Sequence, residues 1–215
     1  SKAEAARQVE ESNAEQVMGQ VDTVVIERIF SSSTRLSAQG IQDLVHQLCQ
    51  VSRKELQSSS SYRSKHIQAD MSQPRIFCLQ KLVEVADYNM AVRGRVVWAS
   101  IWEMLADHFT RVACGENQAV AMYAVDSLRQ LSLKFLGKEE MVGFNFQRRF
   151  LKPFEVIMQH NTAPETREFV LSSINNLLLA RAPNVRSGWK SIFHVFSTAG
   201  MLREEAISQL AFDTL

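Results

Sequence analysis

The chain has 215 residues, 46% of them hydrophobic and 22% charged, which is ordinary globular composition and enough to bury a core without metals or disulfides. Its 24 basic and 23 acidic residues leave a formal charge of +1, so no global field draws it to nucleic acid or acidic lipid, and any basic site has to be local. The 3 cysteines, Cys49, Cys78 and Cys114, are odd in number and widely spaced, which argues against a disulfide framework and fits small core hydrophobes in a reducing compartment.

In chain order, the polar start (SKAEAARQVEESN) reads as a short helix or a frayed tail, with no signal peptide. The chain opens on Ser and closes on an apolar-periodic run, AISQLAFDTL, so both ends are expected to be cuts within a longer protein. Two helices are predicted at about Glu15–Ser31 and Ser37–Leu56, forming an N-terminal unit over 1–56. Residues 57–74, rich in serine and poor in large apolar residues, are expected to form a flexible loop. From 75 to 215 apolar residues recur at three-four spacing. Ile76, Leu79, Val83, Ala86 and Met90 make one stripe, Val97, Ile101, Leu105 and Phe109 a second, and Ala121, Ala124, Leu128, Leu131 and Phe135 a third; Val170, Ile174, Leu177 and Leu178 make a fourth. Each stripe turns one helical face into a core.

Breakers separate the stripes. Gly94 precedes a helix that runs to about Cys114, where Gly115 is placed for a left-handed cap. The next helix spans about Asn117–Leu136, and Gly143 lies before one centred on Phe150–Met158. Asn161 and Thr162 turn the chain, Pro164 suits a first helical turn, and Pro183-Asn184 breaks it again before Trp189. AMYAVDSLRQLSL from Ala121 aligns with REFVLSSINNLLL from Arg167 at an offset of 46 residues, within the HEAT/armadillo range. The fold class that follows is all-α, an α-solenoid of HEAT/armadillo-like hairpins at roughly 97–136, 146–181 and 187–215.

Catalytic patterns are missing. Gly137-Lys138 lacks the frame of a phosphate loop, and there is no HExxH or GxSxG. His46 and Cys49 share a helix three residues apart, but two ligands do not make a zinc site; His46 reads as surface and Cys49 as core. Glu139-Glu140 and Glu204-Glu205 are adjacent pairs pointing about 100° apart on a helix, so they read as solvated faces rather than converging dyads. No catalytic residue, metal or cofactor is expected.

Local charge is more informative. Phe169–Arg203 holds no acid but carries Arg181, Arg186, Lys190 and Arg203 with His194, and QRRFLKPF adds Arg148, Arg149 and Lys152. Arg148, Arg149, Lys152, Arg181, Arg186 and Lys190 are therefore the candidate contacts for an acidic partner or anionic headgroups, with plain solvated charge as the alternative. Aromatics fall at core spacing, which argues against a nucleic-acid stacking platform. Trp98 and Trp102 read as core, and Trp189 as a structural anchor more than a contact surface.

Several long motifs resemble one family. FCLQKLVEVADYNM (Phe77–Met90), VVWASIWEMLADHF (Val96–Phe109), AVDSLRQLSLKFL (Ala124–Leu136), FNFQRRFLKPFEVIM (Phe144–Met158) and NVRSGWKSIFHVFSTA (Asn184–Ala199) are similar, in the same order, to runs in the large brefeldin-A-sensitive guanine-nucleotide exchange factors for Arf GTPases. Glu27–Leu56 also looks like the family's preceding segment, while Asp87, Ala91-Val92 and Ser172–Asn175 depart from its pattern. The resemblance implies the first homology block downstream of the catalytic exchange module, helical and HEAT-like, cytoplasmic and peripheral on Golgi or trans-Golgi membrane. It also implies a regulatory role, sensing GTP-bound Arf-family GTPase and supporting recruitment to an anionic membrane. The competing readings are an intramolecular scaffold packing on neighbouring domains of the same chain and, far behind, an enzyme.

Overall fold

The computed structural model describes residue 13 and residues 22–62, 75–140 and 143–214. These contain nine α-helices: α1 (Thr23–Ser31), α2 (Ala38–Tyr62), α3 (Phe77–Met90), α4 (Arg95–Ala113), α5 (Gln118–Phe135), α6 (Phe146–His160), α7 (Pro164–Arg181), α8 (Trp189–Gly200) and α9 (Glu205–Thr214). Short 3-10 turns follow α1 at Ser32–Arg35 and α7 at Ala182–Asn184, and no strand occurs among the described residues. No helix among them is long and apolar enough to cross a membrane.

The helices form two rows. α2, α4, α6 and α8 pack side by side in one, and α1, α3, α5, α7 and α9 in the other, with α2–α3, α4–α5, α6–α7 and α8–α9 as hairpin partners across the rows. The apolar stripes dictate this arrangement. Leu79, Ala86, Ile101, Leu105, Phe109, Leu128, Val170, Ile174 and Leu177 are sealed between the rows in one core that runs from Phe30 to Ala211. Trp102 of α4 stacks on Phe150 of α6 (3.6 Å between ring centroids, 9° between planes), and Phe150 on Phe135 of α5 (4.1 Å, 6°). Each such pair contributes about 0.5–1.5 kcal/mol beyond its burial, so three helices are locked at their crossing.

Caps set the helix starts. Asp22 accepts from the Val24 amide at 2.9 Å, Ser37 from Gly40 at 3.0 Å and Asn117 from Val120 at 3.2 Å, while Pro164 opens α7. At the other end of α4 the expected left-handed cap at Gly115 is absent. The amides of Cys114 and Gly115 bond back to Thr110 and Val112 (both 3.0 Å), and a Cβ at Gly115 would lie 3.1 Å from the Val112 carbonyl. Close approach of backbone, rather than positive φ, is what glycine supplies there; positive φ occurs at Gly143 (84°).

The serine-rich loop expected over 57–74 is partly corrected. α2 continues to Tyr62, because nothing between Gln57 and Tyr62 breaks a helix already running, and serine's propensity penalty is only about 0.5 kcal/mol per residue. Residues 63–74 lie outside the described residues, as do 1–12 and the first part of the helix expected from Glu15. Trp98 and Trp102 are buried as read, with rings 6.3 Å apart. Cys49 is core too, its thiol pushed up to about 12 by burial, whereas His46 on the same helix is exposed and meets Gln50. The two do not face one point.

Candidate functional site

The site is built where α6 and α8 start side by side. Asn145 leaves the first turn of α6 without a side-chain cap. Glu140 of the preceding loop serves instead. Its carboxylate accepts from the Gln147 amide (2.8 Å), the Ser187 amide (2.9 Å) and the Ser187 hydroxyl (2.9 Å). Gln147, itself buried, donates to the Asn184 carbonyl (2.9 Å) and accepts from the Arg186 amide (2.7 Å), while the Asn184 amide group donates to the Leu136 carbonyl (2.8 Å). The Ser187 hydroxyl takes the Arg148 amide at 3.2 Å, and Ser191 donates to the Arg148 carbonyl at 2.9 Å. Gly188 closes the clamp, since a Cβ there would stand 3.0 Å from a Leu151 methyl and 3.3 Å from Gln147.

This clamp sets the position of the candidate cations. Arg148 and Lys190 are exposed, and their side chains have no hydrogen-bond or ion-pair partner among the described residues. Arg186 pairs with Glu139 at 3.2 Å, Arg149 with Glu103 of α4 at 3.8 Å, and Lys152 with the buried Glu155. Arg181 stands apart from them, donating to the Leu133 carbonyl of α5 in the other row at 3.3 Å. The structure thus places Arg148, Arg149 and Lys152 on α6, Lys190 on α8 and Arg186 in the turn just before α8, and leaves Arg181 as a cap for α5. The stretch that lacks acids in sequence does not lack them in space.

Glu139, Glu140 and Glu204 are therefore not simply solvated. Glu204 accepts through both oxygens from Nη1 of the buried Arg167 (2.9 Å each). The sequence offset of 46 held a signal for two of these partnerships: Glu139 and Arg186, and Glu140 and Ser187, lie 47 residues apart, as Asn184 and Leu136 lie 48 apart, but Arg167 and Glu204, 37 apart, fall outside it. Beside the cations, Trp189 packs on the core and stacks on Phe193 (5.5 Å), which is 55% exposed. Half-buried against the core, Trp189 fits the anchor reading; its neighbour four residues on adds an exposed aromatic side chain that the sequence reading missed. His194 meets Gln159 at 3.0 Å and stands 3.9 Å from Glu155.

One pairing has the outline of a nucleophile and its base: Ser52 Oγ and His108 Nε2 are 3.0 Å apart. Both are fully buried, His108 Nδ1 has no partner, and burial holds the imidazole down at about 4, assisted by Arg53, so this is a neutral core histidine. Among the described residues no group of His, Cys, Asp and Glu could hold a metal.

Residues 134–215 match the family described as Mon2/Sec7/BIG1-like, HDS, the Sec7-like HDS group. The chain is 47% identical over 191 residues to brefeldin A-inhibited guanine nucleotide-exchange protein 1 of Homo sapiens, which covers 89% of this chain and 10% of that protein. It is 45% identical over 186 residues to exchange protein 3 of Arabidopsis thaliana (86% and 10%) and 42% identical over 199 residues to exchange protein 1 of the same plant (93% and 11%). The chain spans about a tenth of the length of these relatives.

Proposed function

Because the chain belongs to the family of the brefeldin A-inhibited guanine nucleotide-exchange proteins, and spans about a tenth of their length, we propose that it is a non-catalytic regulatory domain of an Arf exchange factor. In this reading the two rows are a short α-solenoid of HEAT/armadillo-like hairpins. The α6–α8 face docks a GTP-bound Arf-family GTPase, on the anionic cytoplasmic surface of Golgi or trans-Golgi membrane, and so couples exchange activity to GTPase already loaded there.

The observation that carries the reading is the pair Arg148 and Lys190, two exposed cations without partners among the described residues, held beside the Trp189–Phe193 stack. Cations left unneutralised at fixed positions next to exposed aromatic area are what an interface offers an acidic partner. The test is capture of purified Arf, loaded with GTP analogue or with GDP, by the 215-residue chain and by its Arg148→Glu/Lys190→Glu variant. Preferential capture of the GTP form, lost in the variant, is expected. Equal capture of both forms removes the sensing role.

A second reading, an intramolecular scaffold, is favoured by a separate observation. Met201 (82% exposed) and Phe212 (67%) leave apolar area on the last helical pair, which suits packing against neighbouring helices of a longer chain. Under that reading the isolated chain binds neither GTP-loaded Arf nor anionic liposomes in flotation.

A further inference from the structure

We infer that the trough between α4 and α6 is a second docking site, made for a single amphipathic helix of a protein partner that carries bases along one flank of its apolar stripe and acids along the other. The trough has a volume of about 340 Å³. Ala99, Trp102 and Ala106 of α4 and Phe146, Pro153 and Val156 of α6 form its apolar lining. The two alanines account for its depth, since they leave unfilled the space a larger side chain would take. The stack of Trp102 on Phe150 (3.6 Å) holds α4 against α6 and keeps the lining in one shape without a partner.

The rims have opposite sign. Glu103 and Asp107, one helical turn apart, edge the trough on α4, with Asp107 also paired to Arg111 (3.0 Å), and Arg149 and Lys152 edge it on α6, with Lys152 also paired to Glu155, so among the described residues Glu103 and Arg149 are the rim charges held only by each other. Arg149 and Glu103 meet across it at 3.8 Å with side chains 62% and 75% exposed, a loose contact that a partner's charges can replace. Pro153 has no N–H to give to the Arg149 carbonyl, so an acceptor without its helical donor stands at the same lip. From Ala99 to Thr110 the lining of α4 rises about 16 Å, roughly three turns of a docked helix, enough for anchors at i, i+3 or i+4, and i+7. Charge complementarity fixes the flanks: bases toward Glu103 and Asp107, acids toward Arg149 and Lys152.

The test uses the 215-residue chain and labelled synthetic helices that share one leucine stripe but differ in their flanks: basic on one side and acidic on the other, basic on both, or acidic on both. By fluorescence anisotropy the mixed helix should bind best, with each uniform helix about tenfold weaker or worse. Glu103→Lys/Asp107→Lys makes both rims basic and should hand the preference to the acidic helix. Ala106→Phe fills the trough and should abolish binding of the mixed helix with helicity unchanged by circular dichroism. Equal binding of the helices, no binding by any of them, or unchanged binding by Ala106→Phe would overturn the proposal. Capture of GTP-loaded Arf is read separately on the same variants, so the α6–α8 reading stands or falls on its own.

Discussion

Replacing Glu140 with Ala removes one carboxylate and breaks the clamp that joins successive helical pairs. The Gln147 amide and the Ser187 hydroxyl share Oε1, and the Ser187 amide takes Oε2, at 2.8–2.9 Å. A hydrogen bond to a charged acceptor contributes about 1.5–3 kcal/mol, but these share one half-exposed group that water can partly replace, so the loss is set at about 3 kcal/mol rather than the sum. For a chain of this size that corresponds to a fall in Tm of about 6–12 °C. Glu140→Gln should lie between Glu140→Ala and wild type, because its single carbonyl oxygen can serve Gln147 or the Ser187 amide but turns an NH₂ toward the other. Glu139→Ala is the control. Its ion pair with Arg186 is exposed on both sides, and losing it should cost under about 1 kcal/mol. Urea denaturation followed by circular dichroism gives the stabilities, and hydrogen exchange at the Gln147 and Ser187 amides locates the damage. If Glu140→Ala and Glu139→Ala differ by less than about 0.5 kcal/mol, or if those amides stay protected, the clamp does not hold α6 to α8.

The other expectations rest on buried charge. Removing Glu204 strands the buried Arg167 guanidinium, so Glu204→Ala should destabilise by about 3 kcal/mol in urea, while Arg167→Met, which removes the cation and keeps the bulk, should cost clearly less; the reverse order would mean that the pair is not what holds α9 to α7. His108, held near 4 against an ordinary 6.5 by burial, first, and by Arg53 and Arg111 against the opposing pull of Asp107, is neutral in the fold, and the unfolded chain takes up the proton first on acidification. Stability should therefore be full above about pH 6.5 and fall progressively toward pH 4, on the order of 1 kcal/mol per pH unit. His108→Gln, which still offers Ser52 a partner, should flatten that window in a series of urea midpoints; an unchanged slope would assign the acid sensitivity to other groups.

The hairpins were legible because their apolar stripes are long and regular. The expected pairs 97–136, 146–181 and 187–215 correspond to α4–α5, α6–α7 and α8–α9, each bounded by a Gly, Pro or Asn that the periodicity cannot run through. Where no breaker intervenes, composition misled: serines after Gln57 read as loop although α2 runs on to Tyr62. Glycine misled in another way, because Gly115 is required by contact with the Val112 carbonyl and not by φ. Of the six candidate cations, five lie on α6, on α8 or in the turn before α8; the Glu155 that pairs with Lys152 is three residues on in the same helix and was legible, whereas the Glu103 and Glu139 that pair with Arg149 and Arg186 come from 46 and 47 residues away and were not. For the same reason it could not tell that Arg181 turns to α5.

Except for Lys152 and Glu155, which are neighbours on one helix, those pairings lie close to the period. When hairpins stack, a residue's lateral neighbour lies about one repeat away in sequence, and several polar contacts follow this: Asn161 reaches Ala113 and Arg181 reaches Leu133 across 48 residues, and Asp87 meets Lys134 across 47, whereas Gln147 and Arg186, 39 apart, and Ser52 and His108, 56 apart, do not. Trp102 and Phe150, and Glu103 and Arg149, are related by nearly the same step. The apolar member of this set is kept from one repeat to the next, since both positions are aromatic and stack, whereas the polar member changes sign from Glu103 to Arg149. A trough with opposite rims follows from that divergence and not from the fold, because an identical repeat would place like charges side by side and push α4 from α6. If the trough selects its partner as proposed, the charge difference between Glu103 and Arg149 is what sets the preference, and the charge-swapped helices test it directly.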